Sequence, residues 1–186
     1  MRKILLHICC APCLTYTLKK LRNNKFKVEG YFYNPNIHGF LEYKKRLIYL
    51  LKYSKKVKLP LSVSREDYDN GLRKYFEFIG DHKDDRCPIC YWIRLEETAK
   101  LAKKKKIKFF STTLLISPYQ DQELLKKIGG SIAKKYKLKF YYDDFKKGYR
   151  ESRRMAKKEG LYMQKYCGCI FSEFEKYERC GVKAKR

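Results

Sequence analysis

The chain has 186 residues, which suffices for one well-packed domain and leaves little room for a second. Its 45 Lys and Arg against 20 Asp and Glu give a formal net charge of +25, which favours a polyanionic partner, although a lysine-rich surface chemistry also accounts for such an excess. No apolar run is long enough for a membrane helix or a signal peptide, so we expect a cytoplasmic protein whose eight cysteines serve metal binding or catalysis rather than disulfides.

Apolar runs and helical spacings alternate along the chain. Short apolar runs predict strands at residues 3–8, 26–33, 59–64, 109–115 and 138–142. Helical periodicity predicts helices at residues 14–21, 41–51, 68–79, 91–102, 122–136 and 151–158, the fifth of them interrupted at Gly129-Gly130. This alternation indicates a single α/β domain over residues 1–186, with a mostly parallel sheet of about five strands and helices on both faces, as in Rossmann-like or HUP-like folds.

Three loops that follow predicted strands carry cysteine-rich or polar segments, at residues 9–13, 34–36 and 117–120. Because the carboxyl ends of parallel strands lie at one edge of a sheet, we expect these loops to meet at a ligand site. We expect a cysteine-bearing segment near the C-terminus to close that site.

The cysteines that could bind metal fall into three compact groups: Cys9, Cys10 and Cys13; Cys87 and Cys90; and Cys167 and Cys169. Two thiols three residues apart at a helix start can turn toward one ion and lie in the positive field of exposed backbone N–H groups. Gly168 permits the strained backbone that aims its neighbours inward. Cys180 stands alone, and we predict no role for it. An iron–sulfur cluster, structural zinc and redox thiols without a metal are all compatible with this sulfur set.

Five ordered motifs cover nearly the whole chain. They are Leu6-His7-Ile8-Cys9-Cys10-Ala11-Pro12-Cys13, Tyr33-Asn34-Pro35-Asn36-Ile37, Arg86-Cys87-Pro88-Ile89-Cys90-Tyr91, Thr112-Thr113-Leu114-Leu115-Ile116-Ser117-Pro118-Tyr119-Gln120, and Gln164-Lys165-Tyr166-Cys167-Gly168-Cys169. Together they resemble the cobalamin-independent epoxyqueuosine reductases, the QueH family. The sequence departs from the family pattern at Met163, where a basic residue is expected, and at Asp84-Asp85, where a more glycine-like approach to Arg86 is expected.

The resemblance implies a [4Fe-4S] cluster with a second mononuclear metal close by, which we expect to be iron. It implies reduction of an epoxide to an alkene on the wobble nucleoside of a tRNA that carries epoxyqueuosine, with electrons from an external donor that it does not identify. Mapped onto this chain, the cluster ligands would be Cys10, Cys87, Cys90 and Cys169. The second metal, or redox duty, would fall to Cys9, Cys13 and Cys167.

The reaction also needs a proton donor and an RNA-binding surface. The candidate donors, chosen because they lie beside the motifs, are Asp84, Asp85, Tyr119 and Tyr149. The candidate RNA contacts combine guanidinium groups with an aromatic face, and they are Arg150, Arg153, Arg154 and Tyr162. Ordinary caps, packing tyrosines and a solvated helix face are the competing interpretations of both sets.

Two other functions compete with this hypothesis. An ATP-pyrophosphatase type of tRNA thiolation enzyme would need a glycine-rich phosphate loop after the first strand, where this chain has cysteines instead. A zinc-stabilised RNA-binding module would use the cysteines for structure alone. Metal analysis and ATP binding distinguish the three.

Overall fold

Five short strands form one parallel sheet in the order β3-β2-β1-β4-β5. The computed structural model describes residues 1–64, 68–82 and 85–179. The strands are β1 (Arg2–His7), β2 (Phe26–Phe32), β3 (Leu61–Val63), β4 (Phe109–Thr112) and β5 (Lys139–Phe140). The predicted α/β class with about five parallel strands is confirmed.

Seven α-helices occur in the described part of the chain. They are α1 (Ala11–Asn23), α2 (Phe40–Lys56), α3 (Tyr68–Ile79), α4 (Arg86–Lys104), α5 (Gln122–Tyr136), α6 (Tyr149–Lys158) and α7 (Ile170–Arg179). Two groups of helices pack together: α1 against α6 and α2, and α4 against α5 and α3. From the central strand β1, the chain adds β2 and β3 on one side and then β4 and β5 on the other. Since crossovers between parallel strands are right-handed, the two groups of helices lie on opposite faces of the sheet.

The last four residues of the central strand β1 are buried in the core. Ile4, Leu5 and Leu6 have no exposed surface, as expected for a parallel strand that is covered on both faces. At its carboxyl end, His7 lies opposite Tyr31 of β2 and Thr112 of β4. The ends of the three central strands therefore lie side by side, and the loops that follow them begin at one edge.

Two local predictions were wrong. The fourth strand ends at Thr112 rather than at residue 115, because the Thr112 side chain accepts a hydrogen bond from Leu114 N and starts a 3-10 helix at Thr113–Ile116. Helix α5 continues through its two glycines without interruption. Gly129 is needed there because a Cβ atom would lie 2.5 Å from the Phe140 ring.

The sequence analysis did not predict helix α7. Its backbone begins directly after the last cysteine pair, where Glu173 N bonds to the carbonyl of Cys169. Phe174 is 64% exposed and Tyr177 is 40% exposed. The apolar residues of α7 therefore do not form the buried stripe that is typical of an amphipathic helix. Cys180 lies outside the described residues.

Candidate metal centre at the carboxyl edge of the sheet

A cavity of about 730 Å³ lies at this edge, between the strand-end loops, the start of α4 and the loop before α7. Its wall contains six thiols: Cys9, Cys13, Cys87, Cys90, Cys167 and Cys169. Cys10 lies directly behind, with its Sγ 3.7 Å from that of Cys9. Cysteines from three distant segments are thus brought to one place.

The first group of thiols lies at the N-terminus of α1. The sulfurs of Cys9, Cys10 and Cys13 all lie within 4.8 Å of one another, and this group could hold a metal ion. Thr113 fixes the loop, since its hydroxyl accepts a hydrogen bond from Cys9 N (3.0 Å) and lies 3.3 Å from Cys9 Sγ. Hydrogen bonds from Cys10 and Cys13 lower the pKa of the Cys9 thiol, whereas burial raises the pKa of Cys10.

The second group comes from α4 and from the loop before α7. Cys87 and Cys90 are one helical turn apart and share a face of α4. Cys90 and Cys169 are buried together against Tyr75, whereas Cys87 and Cys167 are open to the cavity.

Three thiols of this second group have pKa values above that of a free cysteine. Limited hydration raises the pKa of Cys167 to about 12, and burial raises the pKa of Cys87 and of Cys90. A bound cation would stabilise the thiolate forms, because a metal deprotonates the thiols that coordinate it. When no cation is bound, these raised pKa values keep the thiols protonated at neutral pH.

Buried Arg46 on α2 holds the C-terminal cysteine loop in place. Its guanidinium donates to the carbonyl of Cys167 (2.8 Å) and to that of Tyr166 (3.1 Å). The Glu42 carboxylate, one turn earlier, accepts from Arg46 Nε at 2.7 Å. The charge of Arg46 is therefore balanced within the protein, and its role here is to fix the loop.

His38 makes a second clamp on the same loop. Its backbone N–H donates to the Gly168 carbonyl (2.9 Å), and its ring Nδ1 accepts from Ile170 N (3.0 Å). Gly168 has φ +134°, a conformation that favours glycine, and a Cβ atom there would lie 3.0 Å from Ile37. Burial lowers the pKa of His38 to about 4, which keeps its Nδ1 free to accept.

Arg94 is the second buried arginine of the cavity, with 1% of its surface exposed. It donates to Asn34 Oδ1 at 2.8 Å, and its Nη1 lies 3.7 Å from Cys90 Sγ. Among the described residues it forms no ion pair with a carboxylate. A buried charge needs a compensating partner, and sulfur ligands in their anionic form would provide one.

Among the described residues, the group that could hold a metal ion consists of Cys9, Cys10 and Cys13, and His7 lies outside it. His7 is buried between strands, with Nδ1 2.8 Å from Thr112 Oγ1 and Nε2 3.1 Å from the Tyr33 carbonyl. Burial lowers the pKa of His7 to about 3, so the ring is neutral and joins the ends of β1, β2 and β4.

Two of the four proposed proton donors reach the cavity. Tyr149 lines it, and Tyr119 lies at its rim, 81% exposed, with ring centroids 6.3 Å apart and nearly perpendicular planes. Asp85 is exposed at the start of α4 and is not part of the described cavity wall. Asp84 lies outside the described residues.

The proposed RNA-binding residues are divided between the cavity and the surface. Arg153 lines the cavity, whereas Arg150 and Arg154 are exposed elsewhere on α6. The hydroxyl of Tyr162 donates to Glu42 at 2.6 Å, and Lys45 covers its ring at 4.8 Å, so this side chain packs against α2 instead of lining the cavity. The assignment of these residues to RNA remains a prediction.

Four residues at the cavity received no role from the sequence: Asn36, Arg46, Arg94 and Gln164. Gln164 donates from Nε2 to Cys10 Sγ at 3.0 Å. A signal for Arg94 was present, because it follows Cys90 by four residues and so shares its helix face. The bonds of Arg46 to the C-terminal cysteine loop and of Gln164 to Cys10 join residues more than a hundred positions apart.

The sheet and its thiol-lined edge define a Rossmann-like α/β protein with a cysteine-based candidate metal centre. A solved structure described as a predicted subunit of a tRNA methyltransferase from Methanocaldococcus jannaschii matches with a TM-score of 0.57 over 84% of this chain and 75% of that chain. At 13% sequence identity, this likeness bears on the fold alone.

Sequence comparison identifies the family. The family model described as Epoxyqueuosine reductase QueH matches residues 4–175. Proteins named epoxyqueuosine reductase QueH from Dehalococcoides mccartyi and Thermotoga maritima are each 38% identical to this chain, over 94% and 96% of it and 94% of each relative. A third, from Streptococcus pyogenes, is 33% identical over 91% of this chain and 69% of its own length. The chain belongs to the QueH family, which favours neither the thiolation enzyme nor the zinc module. No helix in the described part of the chain is long and apolar enough to cross a membrane.

Proposed function

We propose that this protein is an epoxyqueuosine reductase, which reduces the epoxide of the modified wobble nucleoside of a tRNA to an alkene in the cytoplasm. One observation supports it above all: seven thiols from three distant segments meet at one cavity. The cavity, about 730 Å³, lies within the usual range for small-molecule sites, roughly 300–1,000 Å³, so it can admit a modified base. The names of the relatives support the same activity.

The donor set fits an iron–sulfur cofactor. All the clustered ligands are sulfur, which suits iron–sulfur chemistry, and seven thiols exceed the four that one structural zinc takes. We propose a [4Fe-4S] cluster with a second mononuclear metal, iron, beside it. When bound, this cofactor supplies electrons and a Lewis-acidic site for the epoxide oxygen.

The thiols can be divided between the two metals in two ways. The family resemblance gives the cluster Cys10, Cys87, Cys90 and Cys169, and we retain this as the proposal. The short distances within the group of Cys9, Cys10 and Cys13 support a rival, in which Cys10 and Cys167 exchange places. Substitution of these two residues separates the assignments.

The reaction consumes two electrons and two protons and releases the epoxide oxygen as water. We propose Tyr149 as the residue that delivers a proton inside the cavity. A tyrosine phenol is protonated at neutral pH, and burial raises the pKa of Tyr149 further, so it can donate only to a strongly basic group such as the alkoxide oxygen of the opened epoxide. The exposed Tyr119 beside it is placed to exchange protons with solvent.

The RNA must present its modified base unstacked, because a base inside a helical stack cannot enter a cavity. Cationic side chains in the wall, among them Arg153, Lys165 and Lys176, would bind the flanking phosphates. Tyr119 offers an exposed aromatic face at the rim for a neighbouring base. Arg150 and Arg154 would extend the phosphate contacts along the exposed side of α6.

Anaerobic purification followed by metal analysis tests the function. We expect a brown protein with about four irons and matching sulfide per cluster, plus further iron at the second site. With a chemical reductant, it should convert epoxyqueuosine to queuosine in tRNA. A colourless zinc protein without this activity would sink the proposal.

The same preparation tests the assignment of the thiols. With Cys10 on the cluster, Cys10→Ala abolishes the [4Fe-4S] spectrum and Cys167→Ala retains it with less additional iron. The reverse pattern would establish the rival division. Cys9→Ala should lose turnover under both assignments while the protein remains folded.

A further inference from the structure

Two asparagines of one turn, Asn34 and Asn36, are equally buried but differ in their partners. They are 2% and 0% exposed. Asn34 is fully engaged within the protein: its Nδ2 donates to the Ile8 carbonyl (2.9 Å), and its Oδ1 accepts from Arg94 (2.8 Å). Among the described residues, neither amide atom of Asn36 has a hydrogen-bond partner. Asn36 lines the thiol cavity.

Asn36 lies in the cavity wall beside Gly168 and Arg46. A Cβ atom on Gly168 would lie 3.4 Å from Asn36 Nδ2 and 3.2 Å from Arg46 Nη1, so a side chain at this position would crowd both groups. Arg46 is already paired with Glu42 and with two carbonyls. Asn36 therefore presents a neutral donor and a neutral acceptor beside a cation whose charge is balanced.

A buried amide without partners destabilises a fold, so a ligand that completes its hydrogen bonds is the expected explanation. Sulfide, thiolate and phosphate accept hydrogen bonds but do not donate them. Each could satisfy Asn36 Nδ2 and would leave Oδ1 unpaired. The matching ligand is a neutral group that both donates and accepts, such as a hydroxyl or the lactam edge of a base.

We propose that Asn36 is a specificity-determining residue that hydrogen-bonds a hydroxyl of the modified nucleoside or the lactam edge of its base. This inference rests on the proposed function, since it requires the modified base to enter the cavity. Gln164 offers a further acceptor at the same wall, because its Nε2 is used by Cys10 while its Oε1 is buried without a partner among the described residues.

Asn36→Leu in the metal-loaded protein tests the proposal, with Asn34→Leu as the matched control. Leucine has a similar volume and cannot form hydrogen bonds. The melting temperature should stay unchanged or rise in Asn36→Leu and should fall clearly in Asn34→Leu, which loses two internal hydrogen bonds. A fall in Asn36→Leu equal to that of the control would show a structural role and overturn the proposal.

Binding is measured with two anticodon stem-loop RNAs, one carrying epoxyqueuosine and one carrying guanosine at the wobble position. Asn36→Leu should bind the epoxyqueuosine RNA about tenfold more weakly, as expected for one lost pair of hydrogen bonds. Unchanged affinity for the guanosine RNA identifies a group of the substituent as the ligand. An equal loss with both RNAs identifies the shared base edge.

Three other outcomes would count against the proposal. Unchanged binding of both RNAs with an altered reduction potential would assign the amide to the metal centre and overturn the inference. Wild-type affinities of Asn36→Leu for both RNAs, with an unaltered reduction potential, would reject the role of Asn36 and leave the proposed function intact. A wild-type protein that neither prefers nor converts the epoxyqueuosine RNA would reject both.

Discussion

The two buried arginines of the cavity differ in how their charges are compensated. Arg46 has Glu42 as a counterion and donates to backbone carbonyls, whereas Arg94 has an asparagine oxygen and a thiol. The charge of Arg94 therefore acts on whatever anionic group occupies the sulfur site. Because the site is buried, this interaction is weakly screened.

We expect Arg94→Met to lower the reduction potential of the bound metal centre, since removing a nearby positive charge disfavours the uptake of an electron. An interaction of about 1–3 kcal/mol at an effective dielectric constant near 20 corresponds to roughly 40–130 mV for a one-electron couple. Redox titration followed by visible absorption measures the shift. Arg94→Lys should recover most of it, and the half-buried Arg153→Met should shift the potential less. Equal potentials in wild type and Arg94→Met would contradict this role.

Helix α4 is the element that organises the site. Cys87, Cys90 and Arg94 repeat at intervals of three and four residues, which puts two candidate ligands and one buried cation on a single face. The spacing of these residues alone accounts for their shared face, so the sequence predicts this arrangement without knowledge of tertiary contacts. The contacts made by that face, by contrast, depend on α7 and on the turn after β2.

Helix α5 offers a matched pair of substitutions in its two adjacent glycines. Alanine normally stabilises a helix interior relative to glycine by about 1 kcal/mol, and we expect this gain for Gly130→Ala, where a Cβ atom meets nothing within 4 Å. Gly129→Ala should instead lower the free energy of unfolding by roughly 1–3 kcal/mol, because its Cβ would overlap the Phe140 ring. Chemical denaturation of both variants measures this, and stabilisation by both would refute the packing argument.

At the scale of the whole molecule, charge dominates. The formal net charge of +25 is spread over a chain of 186 residues, and several cations line the thiol cavity. Such an excess repels itself in the free protein, and a polyanion relieves the repulsion. Binding of RNA should therefore depend steeply on salt.

We expect the affinity for tRNA to fall roughly a thousandfold between about 50 and 200 mM salt if about six phosphates are contacted. Arg153→Gln, at the cavity, should reduce the slope of log affinity against log salt by about one. Lys108→Gln is the control, because Lys108 is exposed just before β4, at the opposite edge of the sheet from the cavity. Filter binding over a salt series gives the slopes. A flat response would argue against RNA as the substrate.

The sequence alone determined the α/β class, the location of the strands and the three groups of cysteines. These features follow from local periodicity and from residue types at short spacings, which need no knowledge of distant contacts. It also placed the cysteine, asparagine and serine–proline loops at one edge, because parallel strands require it. The interruption predicted at the glycines of α5 was wrong. In the sequence, a glycine that allows close packing cannot be distinguished from one that ends a helix.

Only the tertiary structure decided which thiols are neighbours and which polar groups remain unpaired. The sequence treats Asn34 and Asn36 as two similar asparagines of one turn. Their difference depends on Ile8 and Arg94, which complete the hydrogen bonds of the first, whereas no described residue does so for the second. Hydrogen bonds between residues far apart in the chain have no local pattern, because the fold alone brings their atoms within reach.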